Sequence, residues 1–162
     1  TGLYKDGVNT PHDIPAFLSV GGDYQITKSW NVSAGYHHFF DSDASMANDK
    51  QNYINGGINE YLLGSEYIIN KIFLVSAGAQ ITRTGVTDAY QSDMSFSLNS
   101  YSVGFGGAVN ITSDLRLNLA YFFTNYSPWT KASVSYNGTG VAGSDTYDRT
   151  NKVFGIGVEY KF

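Results

Sequence analysis

The chain contains no cysteine, which removes a disulfide framework and any thiolate metal site. Charge is also scarce, at 15% of residues against about 25% in a typical soluble domain. The net charge of −4 argues against a nucleic-acid partner, which would call for a basic patch. No run of about 18 apolar residues occurs, so a membrane-spanning helix is excluded. Crossing by strands is not. With 162 residues the chain is long enough for one domain with a substantial core. It starts at Thr1 without the basic, apolar and small-residue regions of a signal peptide.

What is abundant is equally selective. There are 13 tyrosines, 10 phenylalanines and 18 glycines, yet the mean hydropathy is slightly negative. An aromatic-rich, glycine-rich, charge-poor chain that is not hydrophobic overall is a chain of alternating strands, and period-two alternation does recur from end to end. In KVFGIGVEYKF one face carries Phe154, Ile156, Val158, Tyr160 and Phe162, and the other Val153, Gly155, Gly157, Glu159 and Lys161. LRLNLAYFFTN, YSVGFGGAVNI and FLVSAGAQI split in the same way. EYLLGSEYII does so less cleanly, because Leu62 and Ile68 fall on the polar face. AFLSVGGDYQI and WNVSAGYHHFF complete seven predicted strands of roughly 10 to 11 residues, the length at which a tilted strand crosses a bilayer.

The connections alternate in length. Short turns are predicted at TKS, NK and ITSD, near residues 28, 70 and 112. Long polar loops are predicted over about residues 41–59, 84–97 and 126–151. Short turns at one end and long loops at the other is the layout of bacterial outer-membrane barrels. Three features favour lipid over a soluble core against the apolar face. Aromatics gather at its two ends: Tyr24, Trp30, Tyr67, Phe73, Tyr160 and Phe162 beside the short turns, and Phe40, Tyr61, Tyr101 and Phe123 beside the long loops. The strand glycines fall mainly on the opposite face, where interior glycine weakens a strand that nothing else supports. The chain also closes on a Tyr-x-Phe ending, Tyr160 and Phe162, read as a C-terminal membrane-insertion signal through which the barrel-assembly machinery would act. The expected fold is all-β, an antiparallel transmembrane β-barrel, with membrane lipid or detergent as a partner and the bacterial outer membrane as its location. Because such barrels normally have an even strand number, seven strands read as the C-terminal part of a larger one.

The stretch DIPAFLSVGGDYQITKSWNVSAGYHHFF, the repeated aromatic-x-Gly strands and the closing NKVFGIGVEYKF resemble the C-terminal half of the FadL/TodX family of outer-membrane transporters. The resemblance implies a fourteen-stranded barrel, of which residues 1–162 would be the C-terminal part. The N-terminal strands and plug would be missing. It implies passive uptake of small hydrophobic molecules, long-chain fatty acid or aromatic in type. The family's functional residues belong to the missing part, so none is carried over. An adhesin or receptor role on the long loops is the alternative reading.

Candidate site residues come from alternation. Phe39 and Phe122 point inward against the polar trend, with His37 beside Phe39, and are expected to line a path for a hydrophobic ligand. Asp23, Glu66, Arg116, Glu159 and Lys161 face the lumen near the short-turn end, where a ring of paired charges would anchor a plug or select solutes. Other motifs fail. GFGGAV has Val109 where a dinucleotide fingerprint needs glycine, and no helix follows. The sequons at Asn31 and Asn137 would go unused in a bacterial barrel. No serine sits in a nucleophile elbow, so neither catalysis nor a cofactor is expected.

GYHHFFDSDAS, residues 35–45, looks at first like a metal site. Alternation sends His38 outward with Tyr36 and Phe40 and His37 inward with Phe39, and adjacent residues of one strand cannot chelate one ion in a tetrahedral site. Asp41, Asp43 and Ser45 have calcium-loop spacing, but Met46 stands where glycine is needed and Asn52 where a bidentate glutamate is needed. No metal is expected there. The stretch marks where a strand leaves the membrane.

Overall fold

A computed structural model describes residues 6–135 and 138–162; the sequon at Asn137 lies outside them. Seven strands form one antiparallel sheet: β1 (Phe17–Thr27), β2 (Trp30–Phe39), β3 (Ile58–Ile68), β4 (Phe73–Arg83), β5 (Ser100–Asn110), β6 (Leu115–Tyr126) and β9 (Thr150–Tyr160). They pair in the order β1-β2-β3-β4-β5-β6-β9. Neighbours in the sheet are neighbours among these strands in sequence, the simplest meander. At about 3.4 Å per residue an eleven-residue strand is about 37 Å long. Tilted by about 45°, it covers roughly the 25 Å apolar band of a membrane barrel.

The three short turns are keyed by side-chain oxygens. Asn70 Oδ1 accepts from the Ile72 and Phe73 amides at 2.8 and 2.9 Å. Thr112 Oγ1 accepts from the Asp114 and Leu115 amides, and Thr27 Oγ1 from the Ser29 amide. These residues reverse the chain locally because they offer its amides a partner that the ladder does not.

The apolar face is open. Leu63, Phe105, Phe154, Ile156 and Val158 are each more than 60% exposed, and no described residue covers them. Trp30 and Tyr67 are cross-strand partners toward the short turns. Tyr36 and Tyr61 rings stand 5.4 Å apart toward the long loops. One irregularity interrupts the ladder: the β1–β2 register shifts between Gln25 and Thr27, beside Ile26.

The best-buried apolar residues are elsewhere. Ala44, Ile54, Val86, Leu98 and Tyr147 are buried in or beside the long connections, with only Ala108 in the sheet. The segment predicted as a single polar loop over 126–151 contains a hairpin, β7 (Trp129–Ser133) with β8 (Gly143–Tyr147). Trp129 Nε1 donates to Asp88 at 2.7 Å, the Phe96 ring packs tilted 5.3 Å from that of Tyr147, and Lys131 Nζ donates to the Gln91 carbonyl. The first long connection holds a 3-10 turn at Asp41–Asp43 and a further 3-10 stretch, Ala47–Tyr53, broken by a kink where Asn48 and Asp49 take positive φ. It joins the second through Asn55 N to Gly85 O at 2.6 Å and Thr87 N to Tyr53 O at 3.0 Å. Gly57 must be glycine, since its φ is +75° and an added Cβ would meet the Phe39 carbonyl. The three connections thus make one packed cap on one end of the sheet.

Candidate functional site

The inner face is built in register rows, because side chains of one face repeat every second residue and cross-strand partners stand side by side. One step in from Phe17, Phe39 and Ile58 at the cap, a row runs Ser19, His37, Glu60, Thr82, Ser100 and Tyr126. The next runs Gly21, Gly35, Leu62, Gln80, Ser102, Thr124 and Asn151. Below them Gly64, Gly78 and Gly104 stand in line between Ser33 and Phe122. The glycines leave room that neighbours use. An added Cβ at Gly104 would lie 3.2 Å from the Phe122 ring, and at Gly64 2.6 Å from Ser33 Oγ.

The upper rows form a polar wall. His37 Nδ1 lies 3.1 Å from Glu60 Oε2. Glu60 Oε1 accepts from Gln80 Nε2 at 2.9 Å and from Thr82 Oγ1 at 3.3 Å. Ser102 and Thr124 hydroxyls bond each other at 2.9 Å. Asn151 donates to Tyr126 OH at 3.2 Å, and the Arg149 guanidinium lies 5.4 Å from the Tyr126 ring centre. Apolar groups interrupt this wall. Phe39, Ile58 and Phe122 from the sheet, with Phe96 and Leu98 from the cap, line a cavity of about 490 Å³ that Glu60, Gln80, Ser102 and Arg149 also border. A second recess of about 450 Å³ follows the glycine row and shares Gln80 and Phe122 with the first.

The predicted residues fall as follows. Phe39 and Phe122 share the upper cavity. His37 is one step removed, reaching it through Glu60, with its ring 5.1 Å from Phe17. His38 is on the other face, its Nδ1 2.9 Å from Asn59 Oδ1. The five charges lie on two flanks. Asp23 and Glu66 border one recess with Lys28; Arg116, Glu159 and Lys161 border another. Arg116 Nε stands 4.0 Å from Glu159 Oε1, and Asn118 donates to the same oxygen. Between the flanks, Leu74 and Ala108 occupy the inner face of β4 and β5. The Tyr160 and Phe162 rings pack 5.2 Å apart, with Phe162 fully exposed. Asp41 is buried and accepts from the Ile58 amide at 3.2 Å, tying the cap to the start of β3. Among the described residues no three His, Cys, Asp or Glu side chains converge as metal ligands.

Glu60 was missed from sequence. It opens the predicted strand EYLLGSEYII, next to a loop predicted to end at residue 59, and was not counted among the inward charges. Only pairing with His37 and Thr82 reveals it as the charge of the upper wall.

A meander of strands of this length, with an exposed apolar face, a glycine-lined inner face and one capped end, has the architecture of an outer-membrane β-barrel wall. The crystal structure of a Pseudomonas aeruginosa FadL homologue is similar to it, with a TM-score of 0.64 at 15% sequence identity. The match covers 90% of this chain and 35% of that one. At that identity the likeness is one of fold, and this chain spans about a third of the other's length. No protein-family model and no curated protein matches the sequence.

Proposed function

We propose that the chain is part of the wall of a channel in the bacterial outer membrane that passively takes up small hydrophobic molecules of the fatty-acid or aromatic type. Seven strands would then be half of a fourteen-stranded barrel, with lipid against the apolar face and the assembly machinery acting on the strand that ends at Tyr160 and Phe162. The observation that carries this reading is the cavity beneath the cap, which Phe39 and Phe122 from opposite flanks of the sheet line together with Phe96 and Leu98. An apolar lining with a few placed polar groups is how small-molecule sites are built. The fold likeness to a FadL homologue is consistent with it.

Uptake of a labelled fatty acid or aromatic by cells with and without the intact gene tests the reading. Uptake falls without the gene, and falls again in a Phe39→Ala/Phe122→Ala double variant whose barrel still assembles. Unchanged uptake in both comparisons sinks it. The packed cap, with Gln91 and Leu98 almost wholly buried, favours a second reading, a surface receptor or adhesin. That reading is adopted if deleting the gene leaves uptake intact but removes attachment to a surface or ligand.

A further inference from the structure

The charges of the sheet are sorted by face. Among the described residues, the carboxylates of the seven strands, Asp23, Glu60, Glu66 and Glu159, all stand on the inner face. The outer face of the strands carries none. Its fixed charges are both positive, Arg83 and Lys152, and both stand at the capped end. Arg83 is the last residue of β4 and Lys152 the third of β9.

The two heights agree. The register row through Lys152 passes Phe123 and Val103 to Ala79, four residues short of Arg83. That row climbs toward the cap, since it lies four residues from the capped end of β4 but two from that of β9. Three inter-strand steps along the row and four residues along β4 are each about 14 Å. In strands tilted by about 45° the two displacements rise equally, so Arg83 and Lys152 share one level, about 20 Å apart around the wall.

Neither cation is neutralised within the chain. Arg83 Nη1 donates to the adjacent Thr82 carbonyl at 3.1 Å, and among the described residues no carboxylate pairs with Arg83 or Lys152. Both side chains are exposed, on a face where a cation is costly unless its head reaches the interface. Asn59 is the cross-strand partner of Arg83. Its Oδ1 accepts from Tyr36 OH at 2.6 Å and lies 2.9 Å from His38 Nδ1, which leaves its amide nitrogen as a further donor beside the guanidinium.

We propose that Arg83 and Lys152 each anchor a lipid whose headgroup carries a phosphate monoester, in the leaflet at the capped end. The guanidinium takes two phosphate oxygens in its planar fork, with Asn59 beside it, and the Lys152 ammonium acts as a point charge. The acyl chains lie down the apolar face, past Ile81 and Phe154. A monoester carries close to two negative charges at neutral pH, so it is preferred to a diester, and a zwitterionic headgroup is not selected. The proposal rests on the lipid-facing reading of this face and is independent of what the channel carries.

The test is native mass spectrometry of the intact protein in a nonionic detergent, with phosphatidate, phosphatidylglycerol and phosphatidylcholine of the same acyl chains. Each site should favour phosphatidate over phosphatidylcholine about fivefold, the weight of one Lys or Arg beside an anionic headgroup, with phosphatidylglycerol between them. Arg83→Gln and Lys152→Gln should each remove one of two preferred phosphatidates, and the double variant both. Phosphatidylcholine binding should stay as it is in all three, which shows that the apolar face is intact. Lys71→Gln removes one exposed charge in the turn before β4, at the opposite end, and should change nothing. No preference for phosphatidate, an equal loss in Lys71→Gln, or displacement of the lipid by equimolar inorganic phosphate overturns the anchoring sites and leaves the lipid-facing reading standing. If none of the three lipids binds, both fall.

Discussion

Leu63, in the middle of β3, and Leu98, in the connection before β5, are the same residue in opposite surroundings. Leu63 is 63% exposed and Leu98 4%. The contrast extends to the regions they belong to. The sheet is held by its backbone ladder, and most of its large side chains face outward with no described residue over them. The cap is built like a water-soluble domain. Ile54, Val86, Leu98 and Tyr147 are buried, Gln91 closes on Ser97 in both directions at 2.7 and 3.0 Å, and two lysines are spent on loop carbonyls. The cap needs water on its outside. The sheet, with apolar residues exposed along every strand, needs a solvent that does not penalise them. One chain therefore obeys two opposite rules of burial, and each rule predicts a different response to substitution.

The largest expected effect is in the cap. Leu98→Ala removes a buried side chain and should cost about 2–5 kcal/mol of local stability. Protease cleavage in the long connections should report it, with barrel assembly unchanged. Equal resistance of variant and wild type would show that the cap does not depend on this core. Next comes Leu63→Arg on the sheet, expected to cost about 2–4 kcal/mol in a bilayer, where a charge faces hydrocarbon near the midplane. An exposed position in water would lose almost nothing, so unaltered folding yield into lipid vesicles contradicts the lipid-facing reading of β3.

The smallest effect is electrostatic and lies in the cap. Burial first, and repulsion from Lys131 second, hold the Lys50 ammonium below the ordinary lysine range. Between its folded value and the ordinary one, the opened loop binds more protons than the closed loop. Cap stability contributed by this group therefore rises with pH through that window and falls as pH is lowered through it. Protection of the cap from protease should climb with pH more steeply in the wild type than in Lys50→Gln. Parallel curves would remove Lys50 from the account.

The same contrast governs how much could be read from the sequence. All seven strands of the sheet and its three short turns were legible, because one face is apolar and the other mostly small or polar in period two. The opposite orientations of His37 and His38 followed from that period alone. The cap was not legible. Its core residues are isolated in polar stretches, Ile54 amid Asn and Gly and Leu98 amid Ser and Asn, so no periodicity announces them. The hairpin β7–β8 was read as loop because its alternation sets Thr130, Thr146 and Ser144 against Lys131 and Asp145, polar on both faces. Of the upper cavity, Phe39 and Phe122 stood out as aromatic breaks in a polar face. Glu60, at the edge of its strand, needed the register to give it neighbours.

The central claim is that the exposed face of the sheet meets lipid and the other face meets water. Because the chain has no cysteine, single spin labels can be attached through introduced cysteines without background. Labels at Leu63→Cys, Phe105→Cys and Ile156→Cys, and at Gln80→Cys, Ser102→Cys and Thr124→Cys, would be compared in the intact protein reconstituted into lipid vesicles. Their relaxation would be measured with dissolved oxygen and with a water-soluble nickel complex. The account predicts that oxygen dominates at the first three positions and nickel at the second three, alternating along β5 between 102 and 105. Equal nickel accessibility on both faces, or the reverse alternation, would contradict it.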